Sequence, residues 1–166
     1  MKKYISSLIF GVVVLLLPSA AQACSCAPSS LMQMAKRSNS VIRAKVLEYR
    51  WDQRIPDQTG TPLTMIIEIK EVYKGSIKSG QVKVLGGDGL NCRPYVTQFP
   101  VGSEWVFAIS KASEVVGKEL ALSDCAQPLA VKDGNAIGNV SGEGLKTKPQ
   151  IVRLSELRKL LKALRT

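Results

Sequence analysis

The sequence predicts a mainly β domain, a small barrel of five strands with a short helix before it and an amphipathic helix after it. Three observations predict it. Between residues 40 and 122, β-branched and aliphatic residues recur in short alternating runs, separated by glycine, proline and polar turns. Near Leu31, and again after Ile151, the apolar spacing becomes that of a helix. Four cysteines behind a leader-like N-terminus mark a small exported domain held by disulfides.

Residues 1–23 read as a signal peptide and residues 24–166 as one domain. Lys2 and Lys3 form a positive start, residues 5–17 an apolar core, and Ala21-Gln22-Ala23 a small-x-small cleavage signal. The apolar run is short for a membrane span, so cleavage is expected rather than an anchor helix, leaving no transmembrane segment. A lipoprotein cut would acylate Cys24. Ala21 stands where that signal usually has a large aliphatic residue, and Gln22 where it has a small one, which favours a free Cys24. The expected location is secreted or periplasmic.

The elements follow in order. Ala27-Pro28-Ser29-Ser30 is a turn able to cap a helix, and Leu31, Met34 and Ala35 then fall on one helical face. The methionines read as core filler. Residues 40–51 form the first strand, with an imperfect alternation that suits a curved barrel strand. Residues 52–62 are a polar loop. Residues 63–73 form the second strand, where Met65, Ile67, Ile69 and Glu71 share one face and Thr64, Ile66, Glu68, Lys70 and Val72 the other.

Residues 81–85 form a short third strand. Gly86-Gly87-Asp88-Gly89 follows without the lysine-threonine signature or the helix of a phosphate loop, so it reads as a turn packed closely against Cys92. Residues 104–110 and 119–122 supply strands four and five. Residues 126–149 read as irregular, with a short strand near Ala130-Val131. Residues 151–164 carry an apolar stripe of Leu154, Leu157, Leu160, Leu161 and Leu164, with Arg153, Arg158, Lys159 and Lys162 outside it. Such a helix could bind a membrane, but a short leucine stripe fits packing on the barrel better. An OB-type barrel fits the count of five strands.

The formal charge is +10, and the signal peptide holds only two of the positive charges. In an exported protein this means attraction to anionic envelope or matrix polymers, or nothing specific. OB barrels often bind nucleic acid; export, disulfides and few aromatics argue against it here. A monomer is expected. The chain has no histidine, which removes most zinc-enzyme sites and histidine-dependent nucleophiles. Asp88, Asp124 and Glu104 are scattered carboxylates that nothing in the sequence pairs. The expectation is a protein that is not an enzyme and has no cofactor of its own.

The chemistry concentrates at Cys24-Ser25-Cys26. In an extended segment the two thiols point to one face, and a disulfide between them would close too small a ring, so each needs a distant partner. Cys92 and Cys125 are the other two cysteines. After the cut, Cys24 has a free amine, with a pKa of about 7.7–8.0 in general, and its carbonyl is an oxygen ligand. Together they can chelate a metal ion in a five-membered ring. A rigid chelator of this kind could enter a catalytic zinc site at its open position and displace the bound water.

Several stretches together resemble the N-terminal inhibitory domain of the tissue inhibitors of metalloproteinases, within the netrin-like group of OB-fold modules. Cys24-Ser25-Cys26-Ala27-Pro28 resembles the inhibitory edge. Val41-Ile42-Arg43-Ala44-Lys45 resembles the first-strand motif, and Tyr73-Lys74-Gly75 the end of the second. Val101-Gly102-Ser103-Glu104-Trp105 and Leu122-Ser123-Asp124-Cys125 resemble later segments. The resemblance covers roughly residues 24–130.

It implies a netrin-like OB barrel with Cys24–Cys92 and Cys26–Cys125 disulfides, each worth roughly 4 kcal/mol or more in the chain-entropy model. It also implies a metalloendopeptidase inhibitor whose Cys24 amine and carbonyl bind the zinc of a target protease. Ser25 would enter the specificity pocket, and Ala27, Pro28 and the loops after strands one and three would extend the contact. The alternative is a netrin-like module that binds protein or matrix without inhibiting, with the disulfides serving only to tie the N-terminus to the barrel.

Overall fold

The computed structural model describes residues 29–51, 60–89, 92–111, 120–142 and 148–165. Among them are eight strands: β1 (Ser40–Arg50), β2 (Thr64–Lys74), β3 (Gly80–Leu85), β4 (Glu104–Lys111), β5 (Leu120–Leu122), β6 (Leu129–Lys132), β7 (Asn135–Gly138) and β8 (Gln150–Arg153). Helix α1 spans Leu31–Arg37 and α2 spans Leu154–Lys162. A sheet closes when its first and last strands pair. Here the order β1-β2-β3-β5-β4 returns to β1, because β4 also pairs with β1. The β3–β5 pairing is parallel and the other barrel pairings are antiparallel. The result is a closed five-stranded, OB-like barrel, as the periodicity predicted.

Alternation sorts the strand residues into two cores. Ile42, Ala44 and Val46 of β1, Met65, Ile67 and Ile69 of β2, Val84, Phe107, Ile109 and Leu122 form the barrel interior. Val96 and Phe99 of the connection after β3 pack into it. Phe99 meets Trp105 and Phe107 edge-on, with ring centroids 5.1 and 5.2 Å away. Val41, Tyr73 and Val106 point outward instead. They join Leu31 and Ala35 of α1, Leu129, Ala136 and Val140, and Leu157 and Leu161 of α2 in a second core.

Four sequence expectations change. The second strand does not keep one face throughout. Arg43 pairs with Glu71 but Ala44 pairs with Ile69, which leaves Lys70 in a bulge. Beyond it the faces swap: Val72 packs toward the interior, and Glu71 turns outward, away from the side of Met65, Ile67 and Ile69. Residues 129–138 are not irregular, since β6, which contains the expected strand at Ala130-Val131, and β7 form a hairpin through Asp133-Gly134, both with positive φ. The C-terminal helix begins at Leu154, not 151, because Gln150–Arg153 is β8, paired with β7. The barrel sheet therefore runs on through β6, β7 and β8 beyond its five closed strands.

α2 covers the outer barrel face. Leu157 and Leu161 are fully buried, and Leu154 and Leu164 pack beside them. Of the stripe, only Leu160 faces solvent. Polar contacts fix the same seam. Arg158 Nε donates to Glu71 Oε1 at 2.6 Å, and Arg43 lies between Glu71 (3.8 Å) and Glu104 (3.3 Å). Burial, reinforced by Glu71, pushes the Tyr73 phenol pKa up. The Arg158 pKa is raised by its hydrogen bond to Glu71. No helix among the described residues is long and apolar enough to cross a membrane.

Candidate functional site

The expected inhibitory edge, Cys24, Ser25, Cys26, Ala27 and Pro28, lies outside the described residues, as do residues 52–59 of the loop after β1. What the structure places is the platform directly downstream of that edge. Ser30 is fully buried and caps α1. Its Oγ accepts from Gln33 N–H at 3.4 Å, and its own N–H donates to Gln33 Oε1 at 3.0 Å. This reciprocal capping box satisfies donors that a helix start otherwise leaves open. Leu31 and Met32 N–H donate to the Asn139 and Val140 carbonyls at 2.9 and 3.0 Å, tying the helix start to the chain beyond β7. At its other end, Lys74 Nζ donates to the carbonyls of Ala35 and Ser38 at 2.5 and 2.8 Å. The chain is thus held at both ends of α1, within a few residues of Cys26.

Cys92 and Cys125 are both disulfide-bonded. They lie together, since Cys125 N–H donates to the Cys92 carbonyl at 2.9 Å. Cys125 adopts φ +57°, a left-handed conformation that costs a side-chain-bearing residue about 1–2 kcal/mol. Arg93 Nε sits 3.4 Å from Asp124 Oδ1, so the residues flanking the two cysteines also pair. The expected pairings Cys24–Cys92 and Cys26–Cys125 each include a residue outside the described ones.

The glycine loop does pack closely against main chain. At Gly86 and Gly87 the contact is the segment just past Cys92. Gly87 N–H donates to the Pro94 carbonyl at 2.9 Å, and a Cβ on Gly87 would overlap the Arg93 carbonyl. A Cβ on Gly86 would sit 2.6 Å from Val96 Cγ1. This loop fixes the strand of chain that carries Cys92.

Two of the carboxylates singled out in the sequence are held by arginines. Glu104 faces Arg43 and Asp124 faces Arg93. Among the described residues no three His, Cys, Asp or Glu side chains could hold a metal ion. One cluster had no sequence signal. Ser38 and Ser110 Oγ lie 2.8 and 2.7 Å from Ser123 Oγ, uniting α1, β4 and the residue after β5. Only barrel closure brings such distant hydroxyls together. A scan against protein-family models finds none that matches the chain, and a search of curated proteins finds no match.

Proposed function

We propose that the mature protein is an extracytoplasmic inhibitor of zinc metalloendopeptidases, and that the Cys24 amine and carbonyl chelate the target's zinc. The observation that supports this most is the adjacency of Cys92 and Cys125, both disulfide-bonded, at the barrel end that α1 shares. Ser29 and Cys125 border one cavity, so the chain leaves its described start beside a half-cystine. Five residues span at most about 17 Å. Cys24 therefore starts within a short reach of both anchors. A segment pinned twice and continued into a capped helix loses little freedom on binding, which a chelating wedge requires.

In this reading Ser25 enters the protease's first primed pocket, and Ala27 and Pro28 extend the contact. The protein brings no metal and performs no reaction. The zinc is the partner's, and the signal-peptide cut creates the ligand. The test is a panel of zinc metalloendopeptidases, including those of the producing organism, assayed with mature protein whose N-terminal mass and disulfide map are known. Stoichiometric inhibition of at least one member is expected. A mature, disulfide-complete protein that leaves every member fully active overturns the proposal in favour of a non-inhibitory binding module.

A further inference from the structure

We infer that the cavity between α1 and the ends of β4 and β5 binds a small monocarboxylate. This does not depend on the inhibitory reading. The cavity is about 440 Å³, at the small end of the range for ligand sites. Ser38, Ser110 and Ser123 line it, with Arg37, Asp124 and Met34. Ser38 and Ser123 are each 3% exposed, so their hydroxyls are withdrawn from bulk water.

Hydrogen-bond accounting gives this wall its chemistry. Three hydroxyls carry three protons. Ser38···Ser123 and Ser123···Ser110 use two of them. One proton is left over, on whichever serine does not donate to another, for an acceptor in the cavity. Arg37 supplies the charge. It is exposed and makes no ion pair among the described residues. A guanidinium matches a carboxylate with two parallel donors, and a hydroxyl adds a third. The charge count selects the ligand class. Asp124 is already paired with Arg93, so Arg37 is the one uncompensated cation among the described residues of this wall. A singly charged anion balances it, and sulfate or phosphate would leave a negative charge over. Met34 offers an apolar contact to a short carbon chain.

The experiment is a titration of the disulfide-intact protein, followed by its backbone amide NMR signals. The probes are sodium acetate and sodium lactate, against sodium chloride and sodium sulfate at matched ionic strength. Saturable shifts at Arg37, Ser38, Ser110, Ser123 and Asp124 are expected with the carboxylates alone. Arg37→Gln, at an exposed position that leaves the fold intact, should weaken binding at least tenfold. Ser110→Ala should weaken it less. Asp124→Asn should admit sulfate. Shifts that do not saturate, that chloride or sulfate reproduces in the unmodified protein, or that persist unchanged in Arg37→Gln overturn the inference.

Discussion

Ser30 stands at the junction between the proposed inhibitory segment and the folded body, and its side chain holds that junction. Replacing a capping hydroxyl costs about 1 kcal/mol in general. Ser30→Ala should lower the denaturant-measured stability by about that amount. The capping turn ending at Ser30 was read from the sequence; its reciprocal partner Gln33 was not, although serine three residues before glutamine is a helix-start signal. The Ser38–Ser123 contact was not legible, since its partners are 85 residues apart and nothing local marks either.

Tyr73 carries a pH dependence whose sign follows from its raised pKa. Below about pH 10 both folded and unfolded chains keep the phenol proton, and the contribution is fully present. As the pH rises above that, the unfolded chain loses its proton first, so stability falls. Tyr73→Phe should flatten the decline of stability above about pH 10, measured by urea midpoints across the alkaline range. An unchanged slope would show that Tyr73 is not held protonated by the fold.

At the scale of elements, helix α2 is the best-supported assignment and also the easiest to test. Leu157 is buried between α2 and the barrel wall. Leu157→Ala should destabilise by about 2–5 kcal/mol, depending on how far the seam collapses. Its leucine stripe was readable from spacing alone; its first residue was not, because Ile151 and Val152 fit a helix face as well as a strand. Pairing with β7 decides for the strand.

The β6–β7 hairpin was missed although its turn is visible in the sequence. Asp-Gly between two short runs, here Leu129–Lys132 and Asn135–Gly138, is a strong two-residue hairpin signal, and positive φ at both Asp133 and Gly134 is what such a turn requires. Gly134 has open space around it. Gly134→Ala should therefore cost only the backbone term, about 1–2 kcal/mol, by thermal or chemical denaturation. The bulge at Lys70 had no comparable signal. The apolar alternation of β2 runs through Ile69, and only the register with β1 reveals that Glu71 has changed sides.

At the scale of the whole molecule, the barrel and the site stand on different footings. Strand count and periodicity sufficed for a five-stranded barrel, because inward-facing residues must alternate wherever a sheet closes on a core. Function does not follow from that architecture, since one barrel hosts many activities. The proposed function rests on the N-terminal segment and on the placement of Cys92 and Cys125 beside the start of α1. The bonds at Ser30, Leu31, Met32 and Lys74 give that segment a rigid base, and the cysteines lie where a short segment could reach them.

Inhibition of one sensitive zinc metalloendopeptidase should be compared for mature protein beginning at Cys24 and for protein with one alanine placed before it. Both forms should have the same fold and the same disulfides. The added residue removes the Cys24 amine as a ligand and fills the space the zinc needs, so inhibition should be lost while thermal stability is unchanged. Equal inhibition by the two forms would contradict chelation by Cys24.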